Sequence, residues 1–135
     1  MPDLSMEEQF RRADLTAKAR RLFCDCFAIT SADETSITIN YFGFYVQVSF
    51  SALHPLVMFC FAGTLRETGT DAQLKALNEL NLQSVLGTHT VNPEAGCYAY
   101  RAVHWLDTEL TRERLFELLG RFAGEAQRGY DRLRL

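Results

Sequence analysis

The apolar positions along the chain change their spacing several times, and each spacing predicts a different element. From residue 6 to about residue 28 they recur every three or four residues, which is the period of an amphipathic helix. Ser5 stands just before this segment with Glu8 three residues later, which is the pattern of a capping box. Residues 36–41 and 44–50 instead alternate apolar and polar side chains, as half-buried strands do. A helix followed by two strands is therefore expected.

A glycine and a dense apolar run define the next part of the predicted sheet. Gly43 lies between the two alternating segments, where a residue that tolerates positive φ suits a tight hairpin. Residues 56–62 are apolar at nearly every position, which is typical of a central strand covered on both faces. We therefore expect something to cover the second face of this strand as well as the first.

The second half of the chain predicts another helix and two more strands. Thr70 with Gln73 forms a further capping-box pattern, and the helix that it starts extends to about residue 81. Residues 85–91 and 97–106 have the character of strands, and an Asn-Pro-Glu-Ala-Gly turn joins them. These two segments are expected to form a second hairpin.

The last helix completes the predicted fold. Thr111 is a suitable N-cap, Leu110 and Leu115 have the spacing of a hydrophobic staple, and an apolar face continues to Leu133. The element order is then α-β-β-β-α-β-β-α. Strands joined by short turns pair antiparallel, because parallel pairing requires crossover connections. The sequence predicts one α+β domain over residues 1–135, with a five-stranded, mainly antiparallel sheet and helices packed on it.

Composition and charge narrow the classes of function. Hydrophobic residues make up 47% of the 135 residues, which is enough for a buried core. The formal net charge is −3, whereas a dedicated nucleic-acid-binding domain concentrates positive charge. No apolar run approaches the roughly 20 residues that cross a bilayer, and the N-terminus lacks the basic and apolar regions of a signal peptide. We expect a cytoplasmic protein that binds neither nucleic acid nor membrane.

Two groups of residues raise the possibility of a metal site. Cys24 and Cys26 are two residues apart, but such positions on a helix point about 200° from each other, so free thiols are the preferred interpretation. His89 and His104 lie on the two strands of the second hairpin. If the strands bring them face to face, a nearby carboxylate would complete a two-histidine, one-carboxylate cluster. A small metal-binding protein or enzyme using His89 and His104 therefore stays open as an alternative.

The sequence carries no recognisable catalytic signature. No serine stands in a nucleophile elbow, and no cysteine has a histidine at a spacing typical of an activated thiolate. The glycines form neither a phosphate-binding loop nor a dinucleotide fingerprint. We expect no enzymatic activity, no catalytic residue, no metal and no cofactor.

The charged residues of the last helix are expected to face solvent, whereas aromatic residues of the first hairpin are candidates for contact with a partner. Six of the twelve arginines lie between residues 112 and 134, interleaved with acids such as Glu117 and Glu125, which predicts a solvated, salt-bridged face. Nucleic-acid binding through the arginine-rich termini, the competing interpretation, would produce strongly salt-dependent retention on heparin. The aromatic hairpin tip exposes more apolar surface than a turn needs, which makes Phe42 and Phe44 candidate contacts for a protein partner.

Short motifs in the second half resemble a known superfamily. They are Leu77-Asn78-Glu79-Leu80-Asn81, the turn at 92–96, Tyr98-Ala99-Tyr100-Arg101 and the start of the last helix at 110–115. With the element order, these motifs resemble the type III secretion chaperone-like superfamily, above all its YbjN-type domains and next the class I (CesT/Tir-type) type III secretion chaperones. The resemblance extends over nearly the whole chain in topology and over about residues 74–130 in sequence.

That resemblance implies a bacterial, non-enzymatic protein that forms a homodimer and binds another polypeptide. YbjN-like proteins are associated with regulation, whereas in the class I chaperones an effector segment wraps around the dimer in extended form and adds to sheet edges. Both roles stay open, and the resemblance implies no cofactor. The amphipathic middle helix and the aromatic hairpins suggest the following partner or dimer surface: Leu74, Leu77, Asn81, Tyr98, Tyr100, Phe42 and Phe44.

Overall fold

The structure is a computed structural model that describes residues 4–51 and 54–134. Its elements are α1 (Met6–Cys26), β1 (Ile29–Ala32), β2 (Ser36–Tyr41), β3 (Phe44–Phe50), β4 (Leu56–Thr64), α2 (Asp71–Gln83), β5 (Gly87–Asn92), β6 (Cys97–Trp105) and α3 (Arg112–Leu133). The α+β class is confirmed, but the sheet has six strands rather than the predicted five. The additional strand is β1, which has one large apolar residue, Ile29, followed by three small exposed ones, so that no alternation marks it in the sequence.

Side-chain caps fix where the helices begin. The hydroxyl of Ser5 accepts a hydrogen bond from the backbone N–H of Glu8 at 3.1 Å, and the hydroxyls of Thr70 and Thr111 accept in the same way. All three predicted N-caps are therefore confirmed. The second capping box differs from the usual form, because the side-chain oxygen of Gln73 accepts from the N–H of the glycine that precedes Thr70.

The strands pair antiparallel throughout, in the order β1-β2-β3-β4-β6-β5. After β4 the chain passes through α2 to the far edge of the sheet, where it forms β5. It then returns as β6, which fills the place between β4 and β5. The predicted second hairpin is confirmed as β5 and β6. Two strands of nine residues each, β4 and β6, consequently lie side by side.

The first hairpin turns on two residues with positive φ. Phe42 has a φ of 48° and Gly43 a φ of 87°, and Tyr41 pairs with Phe44 on either side of them. Positive φ at both central residues is typical of the two-residue turns that match the twist of paired strands. The glycine-centred hairpin is confirmed. Phe42 is held in the left-handed region, with its side chain 80% exposed.

One face of the sheet carries the core. The ring of Phe59 on β4 lies with its centroid 5.9 Å from that of Phe23 on α1 and 5.1 Å from that of Phe122 on α3. The middle helix packs beside α3 and against β5. The helices therefore lie over one face of the sheet and along its β5 edge. Within residues 4–51 and 54–134, no helix is long and apolar enough to span a membrane.

Candidate partner-binding surfaces

Three of the seven residues predicted at a partner or dimer surface are core residues. Tyr98 and Tyr100 are 0% exposed, and Phe44 is 2% exposed. Alternation along β3 and β6 points these side chains toward the helices, where they pack with other aromatic rings. A partner does not reach them on the folded chain, so they lie outside the candidate surface.

The other four residues lie in two separate places. Phe42 stands at the tip of the β2–β3 hairpin, whereas the remaining three belong to α2. On that helix Leu74 is 50% exposed, Leu77 packs partly against the core, and Asn81 reaches the backbone of β5. The structure therefore does not unite the four residues in one patch, and their contact with a partner stays a prediction.

A buried carboxylate connects α3 to the start of β5. Glu125 is 7% exposed, and its oxygens accept hydrogen bonds from the backbone N–H groups of Val85, Leu86 and Gly87, the last at 2.9 Å. The hydroxyl of Tyr100 donates to the same carboxylate at 2.8 Å. One side chain thus fixes the loop that enters β5 to the helix that covers the sheet.

The prediction that Glu125 belongs to a solvated face is wrong. Its position carried a signal, since it follows Leu118 by seven residues and Phe122 by three, in phase with the buried stripe of α3. Burial acts to raise the pKa of this carboxyl group. The hydrogen bonds from three backbone N–H groups and from Tyr100 outweigh burial, so the pKa lies below its ordinary value. Glu125 is therefore a carboxylate at neutral pH.

A buried histidine completes this polar layer. His89 is 2% exposed, and its Nδ1 lies 2.7 Å from the hydroxyl oxygen of Tyr98. Gly129 of α3 provides the space, because a Cβ there would stand 2.3 Å from that nitrogen. Burial lowers the pKa of His89; the neighbouring Arg128 acts in the same direction, and Glu125 opposes both. This side chain is a core histidine that neutral pH leaves uncharged.

The strand register separates the two histidines of the metal hypothesis. His89 pairs with Tyr100, whereas His104 pairs with Val57, four residues further along β6 than Tyr100. At about 3.3 Å per residue the two positions are roughly 13 Å apart. They do not face each other, and the alternative that uses both for one metal ion is wrong. Among the described residues, no group of three or more His, Cys, Asp or Glu side chains has an arrangement that would hold a metal ion.

The two edges of the sheet differ in how their backbone groups are satisfied. At the β5 edge the side chain of Asn81 accepts from the N–H of His89 at 2.8 Å and donates to its carbonyl at 2.9 Å. Glu125 accepts from the N–H of Gly87 on the same strand. These side chains close the β5 edge to another strand. At the opposite edge, β1 is short and bulged, and within the described chain it has a strand neighbour on one side only.

Exposed apolar side chains cluster on α2 and in the loop after it. Leu74 is 50% exposed, Leu82 78%, Val85 88% and Leu86 43%. Leu74 and Leu82 are two helical turns apart on one side of α2, and Asn78 stands midway between them. We call these five residues the α2 surface.

A second apolar surface lies on the face of the sheet that the helices leave open. Side chains that alternate with the buried ones on β4 and β6 point to this face. They are Leu56, Met58, Cys60 and Ala62 on β4, and Ala99, Arg101, Val103 and Trp105 on β6. We call these eight residues the β4–β6 strip. Val103 is 47% exposed and Trp105 54%. The cover expected for the second face of this apolar strand does not come from the described residues of the chain.

A groove of about 270 Å³ lies between the tip of the first hairpin and α3. Small residues of the helix let the aromatic tip approach it. The groove is lined by Tyr41, Phe42, Phe44, Gly120, Ala123, Gly124 and Gln127. Phe42 therefore lies apart from both the α2 surface and the β4–β6 strip.

Comparisons with known proteins bear on the fold. No family model matches the sequence, and no curated protein matches it. Among solved structures, the chain is similar to YbjN from E. coli, described as a candidate transcription regulator, with a TM-score of 0.63 and 9% identity over 87% of each chain. It is also similar to a chain of the HopA1–SchA chaperone–effector complex, with a TM-score of 0.50 and 12% identity over 93% of this chain and 99% of that one.

Identities this low show the fold alone. The predicted order of helices and strands agrees with the structure, apart from the additional strand β1. The chain therefore has the YbjN-like, type III secretion chaperone-like fold that its short motifs predicted.

Proposed function

We propose that this chain is a non-enzymatic protein-binding domain, a YbjN-like regulator or chaperone-like protein that acts as a homodimer. One observation carries this assignment: the β4–β6 strip is apolar, partly exposed and left uncovered by the described chain. The solvated face of an antiparallel sheet usually carries polar side chains instead. Apolar patches bounded by polar residues are typical of protein interfaces. The likeness to a candidate regulator and to a chaperone–effector complex is consistent with this class.

The α2 surface is our proposed site of self-association. Leu74 and Leu82 are each four residues from Asn78, so a two-fold axis at Asn78 sets Leu74 of one copy against Leu82 of the other. The five residues of this surface carry no charge, and therefore no like charges meet across the axis. Val85 and Leu86 extend the apolar area beyond the helix. Such an isologous contact is the usual way in which a homodimer forms.

Sedimentation at tens of micromolar tests the dimer. The expected mass is that of two chains, and Leu82→Glu is expected to give the mass of one, because it sets a carboxylate against an apolar partner side chain. Met6→Glu is the matched control, since Met6 is 67% exposed on α1 and lies outside the α2 surface. A wild-type protein that sediments as one chain, or a Leu82→Glu variant that stays dimeric, contradicts self-association at this site.

The class I secretion chaperone is a second candidate, and the free edge of β1 favours it. A strand with unpaired backbone groups accepts an extended segment of another chain, whereas Asn81 and Glu125 close the opposite edge. Hydrogen exchange of this chain, alone and co-expressed with the product of each adjacent gene, tests this candidate. Binding of an effector is expected to protect the amides of β1. Stable binding that leaves those amides unprotected contradicts edge addition.

A further inference from the structure

We propose that the β4–β6 strip binds an amphipathic helix of a partner protein, and that this helix carries a carboxylate at the centre of its apolar face. The assignment rests on the proposed function, because it names the kind of partner that one surface of a protein-binding domain takes. It does not depend on the α2 surface or on the edge of β1.

The dimensions of the strip match one helix. The strip occupies seven residues of each strand, 56–62 and 99–105, which corresponds to about 23 Å. Two neighbouring strands are together roughly 10 Å wide. An α-helix of about 15 residues is about 23 Å long and roughly 10 Å in diameter with its side chains. A single helix lying along the strands therefore covers the strip and little else.

Polar side chains limit the strip on both sides. On the same face, β3 presents Tyr45, Gln47 and Ser49, and β5 presents Thr88 and Thr90. The exposed ring of Tyr45 lies beside Ala62 and extends the apolar area at that end, whereas the other four side chains are polar. Their hydroxyl and amide groups keep their hydration when a single helix lies over the strip. A partner sheet would cover these rows as well and would have to satisfy every one of their polar groups. The apolar area is therefore better suited to a helix than to a second sheet.

The charge at the middle of the strip defines the chemistry of the helix. Arg101 is the fifth of the nine residues of β6. Among the described strand residues that point to this face, it is the only charged one. Its guanidinium contacts the sulfur of Met58 at 3.9 Å and forms no ion pair within the described chain. A carboxylate on the partner satisfies this cation once the helix excludes water.

The same charge disfavours a second copy of the chain as the occupant. A two-fold axis through the centre of the strip brings Arg101 of one copy close to Arg101 of the other. Two like charges inside an apolar contact repel each other and suppress that pairing. The strip also presents the residue types that contribute most to binding a different partner, with Trp105 and Arg101 among aliphatic neighbours.

Synthetic peptides provide the test. Three amphipathic helical peptides of about 15 residues, free of tryptophan, differ only at the centre of the apolar face, where they carry Glu, Gln or Lys. Trp105 is the only tryptophan of the chain and lies on the strip, so its emission reports binding directly. We expect a blue shift on binding. We also expect the Glu peptide to bind about tenfold more tightly than the Gln peptide, and the Lys peptide to bind least.

Variants of the protein test whether Arg101 recognises the charge at the centre of the peptide. Arg101→Gln is expected to equalise the Glu and Gln peptides, and Arg101→Glu to reverse the order in favour of the Lys peptide. Val103→Glu, on the strip, is expected to weaken all three. Arg121→Glu is the matched control, because Arg121 is an exposed arginine on α3, and it is expected to leave the order unchanged. Thermal unfolding verifies that each variant is folded.

Three outcomes overturn the proposal. In the first, the peptides bind, and Val103→Glu weakens them, but the order does not follow the charge at residue 101; the strip is then a protein-binding surface without the inferred chemistry. In the second, Trp105 emission shifts with protein concentration alone and Val103→Glu abolishes the dimer, so that a second copy covers the strip. In the third, no peptide changes the emission and no protein partner binds, in which case the proposed function fails too. A monomeric wild-type protein that keeps the peptide order contradicts only the dimer.

Discussion

Met58 and Phe59 are consecutive residues of β4, yet they belong to two different environments. Phe59 is 1% exposed among the rings of α1 and α3, whereas Met58 points to the open face beside Arg101. Both are large and apolar. The difference shows that the chain covers one face of its sheet with its own helices and leaves the other open, although most side chains at the middle of both faces are apolar.

Polar groups show the same contrast. On the covered face, Glu125 and His89 have hydrogen-bond partners inside the chain, and those partners fix β5 and the loop before it. On the open face, Arg101 has no carboxylate partner among the described residues. Buried polar groups of stable proteins are hydrogen-bonded, and the covered face meets this requirement within the chain. Four predictions test this difference.

Truncation of the two neighbours is expected to give the largest contrast in stability. Phe59→Ala removes a buried ring and leaves a cavity, so we expect the free energy of unfolding to fall by about 4 kcal/mol. Met58→Ala removes a partly exposed side chain and is expected to lower it by less than about 1 kcal/mol. Urea unfolding at constant protein concentration measures both changes. Equal losses would mean that the open face is covered in solution.

Two glycines of α3 sharpen the comparison on the covered side. A Cβ at Gly129 would stand 2.3 Å from Nδ1 of His89, whereas a Cβ at Gly120 meets nothing within 4 Å. Gly129→Ala is therefore expected to destabilise the protein by about 3 kcal/mol. Gly120→Ala is expected to stabilise it by about 0.5–1 kcal/mol through helix propensity alone. Thermal unfolding of the two variants decides, and a neutral Gly129→Ala would contradict the packing of α3 on β5.

Loss of the buried charge is expected to have a smaller effect. Glu125→Gln keeps the shape of the side chain but replaces one accepting oxygen by a donor that faces backbone N–H groups, so we expect about 2 kcal/mol of destabilisation. Glu117→Gln, which alters an exposed carboxylate on the same helix, is expected to change stability by less than about 0.5 kcal/mol. Because the pKa of Glu125 lies below its ordinary value of 4.5, wild type is expected to lose stability as the pH falls below that value. Denaturant unfolding at neutral pH and at pH 4 should show that the difference in stability between wild type and Glu125→Gln becomes smaller at the lower pH.

The smallest predicted effect is the pH dependence that His89 imposes. Burial holds its pKa below the ordinary value of 6.5, so the unfolded chain binds the proton more readily than the folded one. Stability is therefore complete above about pH 6.5 and decreases as the pH falls below it. Burial lowers the pKa of His104 as well, so His104 also makes the stability decrease as the pH falls. His89→Gln is expected to flatten the profile, which denaturant unfolding across this pH range measures.

Local chemistry predicted the elements better than their assembly. Ser5, Thr70 and Thr111 marked the helix starts because capping depends on a few consecutive residues. Gly43 marked the first hairpin for the same reason. The strand β1 was not predicted, since its single large apolar residue, Ile29, makes no alternation, and the strand forms by pairing with β2.

The candidate surface was harder to predict than the fold. The hairpin aromatics Tyr98 and Tyr100 have the composition of a contact surface, but the same residue types build cores. Glu125 has the composition of a solvated helix, although its phase with the apolar stripe pointed inward. In both cases the residue type was ambiguous, and only the neighbours in space decided between solvent, core and partner.

The sequence by itself determined the helix starts, the first hairpin, the second hairpin and the unusual strand that is apolar on both faces. Periodicity is sufficient for this, because it establishes which side chains share a side of a helix or strand. Only the tertiary structure decided that β6 returns between β4 and β5, that Asn81 and Glu125 close one edge of the sheet, and that the helices leave the β4–β6 strip open. The physical reason is that a strand pattern defines two faces but does not say which of them another element covers.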